Sequence, residues 1–313
     1  MKTTRRAVLG ACLAVPFAGA ALAYPDRAVR LLVGFPPGTG PDLVARLLAD
    51  ALKEAWPAGV VVENRPGAAG HIAAPDGYTL LFSEIGQLAM APSTFARLTY
   101  NPNDLAPVAR VVTSDFAFVV PASLPVTDLA SYVAWAKQRP QVFMATFGPG
   151  TLGHFGAVML AQQAGFNQES VHFRATGEGM TALLGGDMQG MFGSVALVAP
   201  HVRGGRLKAL AVTGPQRSAL LPDVATMAEL SRPGLEFEAW FGVTAPLAVP
   251  AATLAVQEAA ILRALANPTT RTRLEEAGFR LAPQDRAAFA AQIRADTQRW
   301  AEVVRSTGFR AIE

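Results

Sequence analysis

Residues that could carry covalent or metal chemistry are sparse and scattered in this chain. The single cysteine, Cys12, sits in an apolar N-terminal run, and His71, His154, His172 and His201 stand alone, without HExxH or His-x-His spacing. No metal and no cofactor is therefore expected. Ser83-Glu84 and Asp76 could be imagined in a hydrolytic site, but there is no Gly-x-Ser-x-Gly elbow and nothing orients a base toward a nucleophile. What remains is anion binding. GFPPGTGPD (34–42) and FGPGTLGH (147–154) each join an apolar run to a segment of helical periodicity. A helix N-terminus offers unpaired N–H groups and a partial positive charge, and glycine lets a ligand reach the backbone. The first turn lacks the Gly-Lys-Ser/Thr ending of a phosphate loop and departs from the dinucleotide fingerprint in its glycine spacing. Taken singly, each turn is also plain turn chemistry, and Asp42 a plain residue of a first helical turn.

The elements that must hold these turns alternate. Apolar runs at Val29–Phe35, Val60–Glu63, Tyr78–Ser83, Leu105–Val112, Phe116–Val120 and Val142–Thr146 predict strands. Leucines 43, 47, 48 and 52 at helical spacing predict a helix over Pro41–Glu54, and a second helix over His154–Ala164 follows the second glycine turn. Asp128 or Thr127 is expected to cap a helix that Pro140 stops. Further strands are expected at Val171–Arg174, Met188–Phe192, Leu207–Thr213 and Phe237–Pro246. The pattern argues for α/β layers with largely parallel sheets. Helices at Ala252–Ala266 and Ala287–Ser306 close the chain as packing elements, with Pro268–Ala277 between them. The two glycine turns echo each other in architecture, with no sequence repeat strong enough to claim duplication.

At 313 residues, 51% of them apolar and 16% charged, the chain is long enough for two folded domains with a cleft between them. Residues 1–23 combine Lys2, Arg5 and Arg6, an apolar run and an Ala21-Leu22-Ala23 ending, which is the pattern of an export signal. Thr4-Arg5-Arg6 followed by Val8-Leu9 resembles a twin-arginine signal; a retained anchor and a lipid attachment at Cys12 are the weaker readings. Without those three cations, 24 of the 27 basic residues face 24 acidic ones, so the mature chain is formally neutral. A neutral chain without a Lys/Arg stripe excludes nucleic acid as a partner.

Several segments together resemble the Bug (TctC-like) receptors of tripartite tricarboxylate transporters. They are VGFPPGTGPDLVARLLA, VVENRPGAAGHI, PDGYTLLF, LAPVARV, FGPGTLGH, LLGGDMQGMF, PHVRGGRLKALAVT, LPDVATMAEL, WFGVTAP and VVRSTGF, in that order over nearly the whole mature chain. The resemblance implies a type II periplasmic-binding-protein fold: two α/β domains joined by two crossings, with a ligand cleft between them. By that layout, domain 1 takes residues 24–122 plus 225–313 and domain 2 takes residues 123–224, with crossings near Val119–Pro121 and Pro222–Thr226. It implies a periplasmic, non-enzymatic solute receptor that binds a small organic metabolite with a carboxylate or amide end. Its partners would be the membrane permease subunits of a tripartite tricarboxylate transporter, and the protein itself is expected to be a monomer. Carried over by position, the ligand residues are Phe35, Pro37, Gly38, Thr39, Gly40 and Asp42 from the first domain. Phe147, Gly148, Gly150 and Thr151 come from the second, with His154 either orienting that loop or purely structural. An exported α/β hydrolase acting on a small ester or amide is the rival reading; a solute sensor feeding a signalling system is a third.

The chain also departs from the family's pattern. Thr39 interrupts a usual pair of adjacent glycines, so a direct contact from its hydroxyl is expected. The stretch between His71-Ile72 and Pro75-Asp76 is shorter than in relatives. Glu84 replaces a small or hydroxyl residue at a strand end facing the cleft, Gly193-Ser194 stands where relatives tend to have Asp or Asn, and Arg174 keeps a cation in an altered segment. Glu84, Arg174 and Ser194 therefore join the candidate ligand residues. A carboxylate at Glu84 would repel a second ligand carboxylate and attract an amine. The expected ligand has a carboxylate or amide end at the glycine turns and a neutral, aromatic or amino end near Glu84.

Overall fold

The computed structural model describes residues 24–65, 76–174 and 176–313. The export-signal expectation for residues 1–23, Cys12 included, and the shortened stretch at 72–75 lie outside the described residues.

Strand β1 (Val29–Val33) leads into α1 (Gly40–Ala51) and β2 (Val60–Asn64). After β3 (Thr79–Glu84), a π-helical turn at Gly86–Met90 runs into α2 (Ala91–Thr94). The long β4 (Leu105–Pro121) precedes α3 (Leu129–Lys137), β5 (Val142–Thr146), α4 (Leu152–Ala164), β6 (Gln168–His172) and α5 (Thr176–Gly185). Then come β7 (Gly190–Ser194), α6 (Val195–Arg203) and β8 (Leu207–Val212). The chain returns through β9 (Glu238–Pro246), α7 (Ala251–Ala266), α8 (Pro268–Glu276), β10 (Arg280–Gln284) and α9 (Arg286–Ser306). Local chemistry fixes several of these ends. Asp128 Oδ1 accepts the Ser131 N–H at 2.7 Å while Ser131 Oγ accepts the Asp128 N–H at 3.0 Å, so Asp128 is the cap of α3.

The sheet is mixed, which corrects the expectation of largely parallel pairing. Strand order is β2-β1-β3-β9-β4-β7-β5-β6, with β8 and β10 also on β4. The two outer triads, β2-β1-β3 and β6-β5-β7, are parallel and alike in order; β9 and β4 join them through antiparallel ladders. A second correction concerns β4, expected as two strands. Thr113-Ser114-Asp115 reads as a polar break, yet all three are buried within one continuous 17-residue strand. They are tolerated because the strand exchanges partners there: Asp115 pairs with Glu238 of β9, whereas Phe116 pairs with Ser194 of β7. Thr213 secures the exchange by donating its N–H to the Phe116 carbonyl at 2.8 Å, while its own carbonyl accepts the Phe237 N–H at 3.1 Å. The stretch between the two closing helices, given no element of its own in the sequence, folds into α8 and the β10 strand.

Burial explains the strength of this frame. Val108, Val111, Val112, Phe118, Val119 and Val120 of β4 are fully buried, covered on both faces as a strand shared by two layers must be. Trp240 and Phe289 meet edge-on at 5.2 Å, tying β9 to α9, and the Trp240 indole N–H donates to Asp296 at 2.7 Å.

Candidate functional site

The carboxyl ends of parallel strands leave a crevice where ligands bind in open α/β sheets. Here β1, β3, β5 and β7 all end at one cavity of about 1120 Å³. Of the expected ligand residues, Phe35, Gly38, Thr39, Gly40, Glu84, Phe147, Gly150, Thr151 and Ser194 lie on its wall. Pro37, Asp42, Gly148 and Arg174 do not, and Arg174 is exposed.

Each glycine turn is built from its own short-range bonds, and the two are built alike. In the first, Gly38 adopts φ +79° and donates its N–H to Asp42 Oδ2 at 2.9 Å, while Thr39 Oγ1 donates to the Pro36 carbonyl at 2.8 Å. In the second, Gly150 adopts φ +72° and donates its N–H to His154 Nδ1 at 3.1 Å, while Thr151 Oγ1 donates to the Gly148 carbonyl at 2.9 Å. Thr39 and Thr151 stand at the N-caps of α1 and α4 with nearly the same backbone angles. Positive φ at Gly38 and Gly150 is what turns the chain into each helix, and only glycine adopts it without strain. Thr39 is therefore the counterpart of Thr151, and its hydroxyl proton is spent on the backbone. The groups left for an anion are the first-turn amides on the cavity wall, that of Gly40 on α1 and those of Leu152 and Gly153 on α4, which no helix carbonyl reaches.

Asp42 and His154 hold the turns from behind. Asp42 is only 4% exposed. It also accepts from Arg46 Nε at 3.0 Å and from Asn64 Nδ2 at 2.8 Å, and Asn64 donates in turn to the Phe35 carbonyl at 3.0 Å. Burial alone would raise this carboxyl, but the bonds from Arg46, the Gly38 N–H and Asn64 outweigh it and hold it below the ordinary carboxylate range. His154 is pushed down to about 4 by burial and by neighbouring His172, whose ring centroid lies 4.9 Å away. It is thus neutral, and Nδ1 is free to accept the Gly150 proton.

Sequence reasoning missed much of the cavity wall. Phe116 of β4, Phe192 of β7, Phe241 of β9, Phe279 ahead of β10 and Thr94 and Tyr100 beyond the π-helical turn all line it. They come from distant segments with no motif around them. The C-terminal tail also reaches the second turn: the Phe309 ring, beyond the end of α9, lies 5.6 Å from that of His154. Ser83 bonds Thr244 at 2.8 Å and Asp76 pairs with Arg27 at 2.8 Å, so the three residues imagined for hydrolysis are not assembled.

Two similar α/β halves, strand ends converging on one crevice and a pair of matched helix N-termini define a solute-binding protein of the periplasmic type. Residues 44–309 match the family described as Tripartite tricarboxylate transporter family receptor, TctC, and the chain belongs to that family. Protein BugT of Bordetella pertussis is 32% identical over 308 residues, covering 91% of this chain and 90% of that one. The structure of periplasmic binding protein BugD superposes with a TM-score of 0.79 at 27% identity, over 92% of this chain and 100% of BugD. That of R. palustris Rpa4515 with adipate gives a TM-score of 0.83 at 26% identity, with the same coverage.

Proposed function

We propose that this protein captures a small organic molecule by one carboxylate, held between the N-termini of α1 and α4, and presents it to the permease of a tripartite tricarboxylate transporter. The single observation that carries the reading is the matched pair of turns, Gly38 to Asp42 and Gly150 to His154, facing one cavity. Two helix termini aimed at one anion add their N–H donors and their partial charges. A relative with adipate bound supports a carboxylate as the ligand end. The lobes follow the division into residues 24–122 with 225–313 and residues 123–224, with the end of β4 from Phe116 onward pairing with β7 and β8 of the second lobe. The exchange of β4 partners at Asp115–Phe116, with Thr213 beside it, supports a hinge there, so that closure buries the ligand and creates the docking surface. Residues 1–23 act as the export signal that sends the protein to the periplasm; among the described residues no helix is long and apolar enough to cross a membrane.

The test is calorimetric titration of a panel of short carboxylic acids alongside their methyl esters. Acids that bind while their esters fail to do so are the expected result. Equal affinity for acid and ester would remove the carboxylate from the turns.

A further inference from the structure

The two halves of the site match residue by residue, and the match breaks at Glu84. β3 ends at Glu84 and β7 ends at Ser194; each strand runs straight into a helical segment, at Ile85 and at Val195, and each of the two end residues lines the cavity. One half thus has a carboxylate where the other has a small hydroxyl. Among the described residues lining the cavity, Glu84 is the one anion and Arg97 the one cation, and Arg97 is exposed.

The position of that carboxylate is built. It folds over Gly86, where a Cβ would stand 2.6 Å from Glu84 Oε1. The nearby donors are turned elsewhere: the Tyr100 hydroxyl gives its proton to the Gln87 carbonyl at 2.7 Å, and Gln87 Oε1 faces the Glu84 N–H at 3.3 Å as an acceptor. No described side chain donates to Glu84 Oε1 or Oε2 within hydrogen-bond reach. Phe241 pairs with it across the β3–β9 ladder, and Ile85, Met90, Phe35 and Phe147 line the same cavity. A half-buried carboxylate without a described side-chain donor gains from a cationic partner, and burial lifts its carboxyl to about 7.

Resting on the carboxylate reading above, we infer that the ligand is an amphipathic amino acid in the broad sense: a carboxylate at the turns, an apolar body along the phenylalanines, and a distal ammonium group bonded to Glu84. A second carboxylate at that end would meet Glu84 as a like charge, and a methyl end would leave it unpartnered.

Calorimetry on the full chain with two matched series tests this: ε-aminocaproate, adipate and hexanoate, then para-(aminomethyl)benzoate, terephthalate and para-toluate. In at least one series the amino member should bind about tenfold or more tighter than both partners, the scale of one charge-assisted bond. Glu84→Gln should erase that preference, with circular dichroism and thermal unfolding verifying that the variant is folded. If the diacid or the simple acid binds as well as the amino compound in both series, the inference falls and the carboxylate reading stands. If the preference survives in Glu84→Gln, Glu84 is not its source and the inference falls. If none of the six binds, the carboxylate reading falls and takes the inference with it.

Discussion

Asp42 and His154 occupy the same place in the two halves of the molecule: each lies four residues beyond a positive-φ glycine and accepts that glycine's N–H, at 2.9 and 3.1 Å. A carboxylate and a neutral imidazole thus do one job, that of locking a turn so that the next amides face a ligand. Neither side chain needs to touch the ligand to matter for it.

The two locks should fail in different acid windows. The folded-state value of His154 is depressed from 6.5 to about 4, so between those values the unfolded chain binds a proton that the native chain refuses. Stability is then expected to fall as pH drops from about 6.5 toward 4. Asp42 is a depressed carboxyl, so its contribution is present above its unfolded value near 3.8 and is lost only as pH falls through its lower folded value. Urea unfolding across this range should show a loss in the upper window that His154→Gln diminishes and Asp42→Asn leaves in place. Asp42→Ala removes the acceptor of the Gly38 N–H, Arg46 and Asn64 and is expected to cost about 1–3 kcal/mol at neutral pH, while Asp42→Asn keeps one acceptor oxygen and is expected to cost less. An unchanged pH profile in His154→Gln would show that the imidazole does not hold the second turn.

Alanine at the two turn glycines should separate backbone strain from closure. A Cβ at Gly38 meets nothing within 4 Å, so Gly38→Ala carries only the strain of φ +79°, about 1 kcal/mol. A Cβ at Gly150 would stand 3.1 Å from Thr94 Cβ and 3.4 Å from Phe309 Cζ, atoms that belong to the other half of the molecule. Gly150→Ala is therefore expected to weaken affinity by more than Gly38→Ala does, at similar loss of thermal stability. Equal affinity losses in the two variants would show that the Gly150 to Thr94 contact has no part in holding the ligand.

These contrasts also mark what the sequence disclosed. Both turns were legible because glycine and proline between apolar runs are local signals, but their shared Phe-x-Pro-Gly-Thr, at Phe35–Thr39 and Phe147–Thr151, passed as an echo in architecture alone. Its depth was not legible. That Asp42 and His154 are equivalent depends on hydrogen bonds, since the residue types share no chemistry until the imidazole is neutral. The aromatic wall was hidden for another reason: Phe116, Phe241 and Phe279 reach the cavity through strand partners far apart in the chain. β4 was misread as two strands because Thr113, Ser114 and Asp115 have the composition of a turn, and only the change of partner from β9 to β7 gives buried polar residues a place in a strand.

Affinity for an amino-bearing ligand should rise with pH through the neutral range. The Glu84 carboxyl is lifted to about 7, because burial disfavours its charged form and no described side-chain donor opposes that. An ammonium group binds only the ionised carboxylate. Below about 7 the ligand must therefore displace a proton, and affinity should fall by up to about tenfold per pH unit, the limit for one linked proton. Above about 7 the carboxylate is already charged and affinity should level off until the ligand amine itself deprotonates. A carboxylate without an amine has no such linkage of this sign at Glu84; its binding should hold or weaken over the same rise, since it prefers the neutral acid beside it. Titrating ε-aminocaproate and hexanoate at pH 6, 7 and 8 in buffers of different ionisation enthalpy would measure both the slope and the protons released. Parallel pH profiles for the two compounds would show that the amine and Glu84 do not meet.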